Sequence, residues 1–163
     1  MSSKLFTRSL AVPMLAFCGL ATALAQMPNA YGPSISLDTA KKVAAPALAE
    51  AAKNNWTVAV AIVDPSGNLV YYEKMDNTQL GSANVALDKA RSAALFKRPT
   101  KAFQDALATG GENLRILRLQ GVVPVEGGFP LILDGKIVGG IGVSGATSAQ
   151  DAQCSKAGAD LLK

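Results

Sequence analysis

The chain has 163 residues, of which 16 are basic and 12 are acidic, and it contains no histidine. Without histidine, Ser-His-Asp and Cys-His catalysis, the usual zinc sites and histidine-ligated haem are excluded. The formal net charge of +4 is not concentrated on a basic face interleaved with aromatic residues, so the composition does not indicate a nucleic-acid-binding protein.

The N-terminal segment has the order of a cleavable secretory signal. Two basic residues, Lys4 and Arg8, precede an apolar run that ends in the small-x-small triplet A-L-A at Ala25. The run is shorter than the roughly 20 residues that a membrane-spanning helix needs. We therefore predict a signal peptide over residues 1–25, a mature chain that begins at Gln26 with no membrane span, and a periplasmic or secreted location.

A lipid anchor on Cys18 is the alternative, which the large Phe17 before it disfavours. Once Cys18 is removed, Cys154 is the remaining cysteine, so no internal disulfide can form. Glycine and proline in residues 26–35 predict a flexible leader, and residues 36–163 are long enough for one domain.

The first half of the domain predicts a helix, a β-hairpin and a second helix. Ser36 is a plausible N-cap for a helix over residues 37–53. Residues 57–63 and 69–75 have the composition of strands and are separated by the turn-forming sequence D-P-S-G-N. The alanine-rich residues 82–96 then predict a helix that can lie close against a sheet.

The second half predicts a short helix, three strands and a final helix. These elements are placed at residues 100–107, 122–125, 129–133, 136–143 and 148–162. Asp134 and Gly135 between the last two strands are typical of a type I′ hairpin turn. The order α-β-β-α-α-β-β-β-α predicts a single α/β (α+β) domain, in which helices flank an antiparallel five-stranded sheet.

The glycines Gly140, Gly142 and Gly145 have the G-x-G-x-x-G spacing of a dinucleotide-binding loop. A Rossmann unit continues with a helix and a second parallel strand, and the chain after Gly145 is too short for both. We therefore interpret these glycines as allowing a bulge or a close approach of backbone segments.

Four motifs occur in one order along the mature chain: A-I-V-D-P-S-G ending at Gly67, K-A at Lys89, G-G-F-P starting at Gly127, and G-G-I-G-V-S-G ending at Gly145, followed by Asp151. Together they closely resemble the GlcG/HbpS-like family over nearly the whole mature chain. The resemblance implies a homo-oligomer and a small-molecule ligand. Members of the family include haem-binding extracellular proteins, the C-terminal domain of some cobalamin adenosyltransferases, and a protein encoded with glycolate-use enzymes.

Three ionisable residues are candidates for acid-base chemistry, namely Lys89, Glu126 and Asp64. Each also has a structural interpretation: Asp64 could bond turn amides, Glu126 could be a solvated loop residue, and Lys89 could face solvent on its helix. The candidate ligand-binding residues are those at or beside the family motifs: Lys89, Arg91, Glu126, Gly127, Gly128 and Ser144. We predict no metal site.

Two functions remain open, beside a purely structural or signalling role. The resemblance, the signal peptide and the lack of a catalytic constellation favour an exported protein that binds haem or another anionic or tetrapyrrole ligand. The alternative is an enzyme or accessory protein that acts on a small organic acid by proton transfer through lysine or carboxylate side chains. The cofactor is left open, because the resemblance implies haem while the sequence lacks a histidine to bind its iron.

Overall fold

The computed structural model describes residues 29–162, so the predicted signal peptide lies outside the described residues. Within that range the helices are α1 (Leu37–Lys53), α2 (Ser82–Phe96), α3 (Lys101–Ala108) and α4 (Ser148–Ala159), and the strands are β1 (Ala59–Val63), β2 (Leu69–Lys74), β3 (Gly128–Leu133) and β4 (Lys136–Ser144). Short 3₁₀ segments follow α3 and α4, at Gly111–Arg118 and Asp160–Leu162. No described helix has the length and apolar character needed to cross a membrane.

The four strands form one antiparallel sheet in the order β2-β1-β4-β3. Helices flank this sheet, as the sequence predicts. The prediction of a fifth strand at residues 122–125 is wrong, since these residues have an irregular conformation.

Physical contacts explain why residues 122–125 do not form a strand. Pro124 has no N–H to donate, and the N–H of Val123 bonds the hydroxyl oxygen of Ser92 on α2 at 3.2 Å. The N–H of Glu126 bonds the side-chain oxygen of Gln104 on α3 at 2.9 Å. Side chains thus satisfy backbone groups that a neighbouring strand would otherwise bind.

The sheet has a different helical layer on each face. Strand β1 is buried on both faces, so its side chains alternate between two cores. Val60 and Ile62 pack with α1 and α4, whereas Ala59, Ala61 and Val63 pack with the alanines of α2. The small residues of β1 on one face are therefore what lets α2 lie close to the sheet.

The last part of the expected flexible leader is docked on the sheet. The N–H of Ile137 in β4 bonds the carbonyl of Ala30 at 2.8 Å, and the N–H of Gly32 bonds the carbonyl of Ile137 at 2.8 Å. Ile35 donates to Val138 at 2.9 Å and is itself buried in the core. This docked segment continues the sheet beside β4 and places Tyr31 at the C-terminal end of α2.

The β3–β4 hairpin has the expected backbone, with φ of 49° at Asp134 and 71° at Gly135. A Cβ atom on Gly135 would meet no heavy atom within 4 Å, so a substitution there tests backbone strain alone. Gly135→Val should lower the free energy of unfolding by about 1–3 kcal/mol, because a β-branched residue is strained at positive φ. Urea denaturation followed by circular dichroism measures this loss.

Gly135→Asn is the control, because asparagine tolerates the left-handed region better than valine. It should lose clearly less stability than the valine variant. Equal unfolding midpoints for the wild type and both variants would contradict the strained turn.

Candidate functional site

Lys89 lies in a buried ion pair between α2 and α4. Its ammonium nitrogen donates to Asp151 Oδ2 at 2.9 Å and to the carbonyl of Val143 at 3.0 Å. The side chains of Lys89 and Asp151 are 1% and 3% exposed. The solvent-facing interpretation of Lys89 is therefore wrong, and its charge is compensated inside the protein.

Asp151 is free to make this pair because another residue caps α4. Thr147 is the N-cap and forms a capping box with Gln150. Asp151 lies in the first turn of the helix, where its Oδ1 accepts the N–H of Ala146 at 3.0 Å. Both carboxylate oxygens thus have partners, one in the preceding turn and one on α2.

The Gly127-Gly128 segment closes over the ion pair. A Cβ atom on Gly127 would lie 2.8 Å from the Lys89 nitrogen, and one on Gly128 would lie 2.5 Å from the Lys89 carbonyl oxygen. The N–H of Gly128 bonds the hydroxyl oxygen of Thr100 at 2.9 Å. These glycines are therefore packed against α2, and the N–H of Gly128 already has a protein acceptor.

Ser144 lies beside this cluster and is also buried. Its hydroxyl is 3.3 Å from that of Ser82 at the start of α2. The structure thus brings together four of the predicted ligand-binding residues, Lys89, Gly127, Gly128 and Ser144. It does so in a closed junction of helices and strands.

The other predicted site residues lie outside this junction. Glu126 is half-buried, and its charge acts on exposed Lys101. Asp64 follows the end of β1 opposite Gly140, whereas the junction lies at the other end, where Ala59 is opposite Ser144. Lys89 and Asp64 are therefore separated by the length of β1.

Asp64 holds its own turn together. Its carboxylate accepts the N–H groups of Ser66 and Asn68 and the side-chain amide of Asn68, at 2.8–3.0 Å. Partial burial raises the pKa of Asp64, but these hydrogen bonds outweigh it and hold the pKa below its usual value. The carboxylate is thus an ionised turn residue.

Arg91 lines a cavity on the outer side of α2. Its Nε donates to the carbonyl of Gly67 at 3.0 Å, and a terminal nitrogen lies 3.8 Å from exposed Asp88. This cavity of about 360 Å³ is lined by Asp88, Arg91, Leu95 and residues 121–123. The guanidinium is about two-fifths exposed at 43%, so it remains available to an anion.

A second, larger cavity lies on the other side of Leu95, and we call it the Tyr31 groove. Its volume is about 610 Å³, and its lining consists of Tyr31, Gly32, Ser34, Asp64, Pro65, Ser66 and Leu95. Because Leu95 lines both cavities, they adjoin along α2. Sequence reasoning missed this groove, since Tyr31 lies in a glycine- and proline-containing segment without periodicity.

A cation marks the edge of the Tyr31 groove. The Lys97 ammonium lies 4.2 Å from the centre of the Tyr31 ring, a cation–π arrangement. Lys97 is the C-cap of α2 and has a φ of 56°. The groove therefore combines an aromatic and aliphatic wall with the Asp64 carboxylate in its lining and the positive charge of Lys97 at its edge.

The groove offers side-chain oxygen atoms, but no side-chain nitrogen or sulfur atom, as potential ligands of a haem iron. Those lining residues that carry potential ligand atoms are Tyr31, Ser34, Asp64 and Ser66. Cys154 lies fully buried on α4, where burial raises the pKa of its thiol to about 11. Among the described residues, no group of three potential metal ligands is present.

Comparisons with known proteins agree with one another. The family description "Haem degrading protein HbpS-like" matches residues 35–160. Protein GlcG of Escherichia coli strain K12 is 39% identical over 110 residues, which cover 68% of this chain and 81% of GlcG. The crystal structure of HbpS matches with a TM-score of 0.74 at 32% identity, over 81% of this chain and 92% of HbpS. A crystal structure of a PduOC–haem complex matches with a TM-score of 0.72 at 26% identity, over 80% of this chain and 96% of PduOC.

Proposed function

Since the chain belongs to the HbpS-like family, we propose that it is an exported protein that binds a tetrapyrrole in the Tyr31 groove. The match over residues 35–160 confirms the resemblance seen in the sequence motifs. Export and homo-oligomer formation are part of this proposal and rest on the signal-like N-terminus and on the resemblance. A haem complex of the relative PduOC supports a tetrapyrrole as the class of ligand.

The observation that supports this proposal is the Tyr31 groove, together with the charged side chains near it. A volume of about 610 Å³ is within the usual range of small-molecule sites, about 300–1,000 Å³. Leu95 and Pro65 offer an apolar wall to a flat ring, while Lys97 and Arg91 can receive carboxylates beside it. The buried Lys89 junction, in contrast, is filled by the chain itself.

The enzyme alternative has less support from the geometry. Proton transfer between Lys89, Glu126 and Asp64 requires that they reach one substrate, but Lys89 is enclosed by Gly127 and Asp151. Asp64 lies at the far end of β1 from Lys89. We therefore favour ligand binding over acid-base catalysis.

Haemin titration followed by absorbance tests the proposal. The wild type should bind haemin saturably, and Leu95→Asp should weaken binding about tenfold or more, because it places a carboxylate in the wall shared by both cavities. Leu95 is 43% exposed, so the fold should accept this change.

Leu161→Asp is the matched control, since Leu161 is 51% exposed and lies beyond α4 on the opposite face of the sheet. It should bind haemin like the wild type. No saturable binding by the wild type would refute the function, whereas equal binding by the wild type and Leu95→Asp would refute the location.

A further inference from the structure

We infer that this chain recognises the tetrapyrrole ring and its carboxylates rather than a metal ion, so that iron-free porphyrin is as good a ligand as haem. This inference rests on the proposed function and concerns the same groove. It follows from the hydrogen bonds, the ion pair and the burial of the potential iron ligands.

Tyr31 is the phenol of the groove, and its hydroxyl acts as a hydrogen-bond donor. It donates to the carbonyls of Ala94 and Leu95 at 3.2 and 3.0 Å. These carbonyls belong to the last turn of α2, where the helix dipole presents negative charge. A tyrosine that binds ferric iron does so through its oxygen as phenolate, which would lose both bonds and meet this negative end. The position of Tyr31 therefore favours a neutral ring wall.

The carboxylate of Asp64, which also lines the groove, is likewise occupied by hydrogen bonds. The three hydrogen bonds that Asp64 accepts define the β1–β2 turn, so binding a metal would disrupt that turn. The serine hydroxyls of the groove, on Ser34 and Ser66, are neutral groups and weak ligands compared with imidazole or thiolate.

Cys154 and Lys89, a potential soft ligand and a potential nitrogen ligand, are removed by burial. Cys154 is fully buried, and its raised pKa keeps it a thiol. Lys89 is enclosed in its ion pair with Asp151. What the groove does present is an apolar wall at Leu95 and Pro65, with Lys97 at its edge and Arg91 in the adjoining cavity. These features recognise a ring and its acids, and both are present with or without iron.

Parallel titrations of haemin, protoporphyrin IX and protoporphyrin IX dimethyl ester test the inference. The dissociation constants of haemin and protoporphyrin IX should agree within about threefold, while the dimethyl ester should bind about tenfold more weakly because its carboxylates are blocked. Tyr31→Phe keeps the ring and removes the oxygen, so the absorption spectrum of the bound haemin should be unchanged.

Tighter binding of haemin than of protoporphyrin IX by about tenfold or more would overturn the inference. So would the loss of a phenolate-to-iron charge-transfer band in Tyr31→Phe. Either result leaves tetrapyrrole binding itself intact. Failure of every porphyrin to bind would instead refute the proposed function and the inference with it.

Discussion

Lys89→Met should lower the free energy of unfolding by about 3–5 kcal/mol, a large part of the stability of a typical domain. The substitution leaves Asp151, which is 2% exposed, as a buried carboxylate without its cation. It also removes the donor to the Val143 carbonyl. Urea denaturation followed by circular dichroism measures the loss, and a variant that does not fold agrees with the expectation.

Two further variants isolate the charge. Lys101→Met breaks an ion pair with Asp105 in which both side chains are about half exposed, at 50% and 58%. It should cost less than about 1 kcal/mol, as exposed pairs do. Adding Asp151→Asn to Lys89→Met removes the orphaned charge while keeping an acceptor for Ala146, and should restore about half of the lost stability. Equal costs at Lys89 and Lys101 would contradict the buried pair.

Gly142→Ala should be the most damaging single methyl group added to the sheet. Its Cβ atom would lie 2.1 Å from the carbonyl oxygen of Ala86 and 2.5 Å from the amide nitrogen of Ala90. Both atoms belong to the backbone of α2, so the helix would have to move away from β4. We expect a loss of about 3 kcal/mol, at the upper end of usual overpacking penalties, measured as a shift in the urea midpoint.

Gly81→Ala is the matched control for this methyl group. Gly81 lies just before α2 with a φ of −64°, and a Cβ atom there would meet nothing within 4 Å. Its unfolding free energy should stay within about 0.5 kcal/mol of the wild type. A Gly142 variant as stable as the Gly81 variant would mean that α2 does not lie this close to β4.

Sequence reasoning succeeded where structure is decided by nearby residues. The Asp134-Gly135 turn has the predicted positive φ angles, and α2 has the predicted bounds. The interpretation of the G-x-G-x-x-G glycines as sites of close backbone packing is confirmed, because Gly140 and Gly142 both face the backbone of α2. Each of these features has a short-range signal in composition or spacing.

Sequence reasoning failed where distant partners decide. Residues 122–125 have the composition of a strand. However, the N–H groups of Val123 and Glu126 bond the side chains of Ser92 and Gln104 rather than a neighbouring strand. The family motif identified Lys89 as special, yet its partner Asp151 is 62 positions away, and nothing local shows that both are buried. The Tyr31 groove is formed by the N-terminal segment, the β1–β2 turn and the end of α2, which no single pattern connects.

The Lys89–Asp151 pair joins the two faces of the sheet. Lys89 comes from the layer of α2 and Asp151 from the layer of α4, and the two layers bury different sides of β1 and β4. If either layer separated from the sheet, it would leave the other with an uncompensated charge in an apolar environment. Partial unfolding of one layer alone is thereby penalised, so the two layers should open together as one cooperative unit.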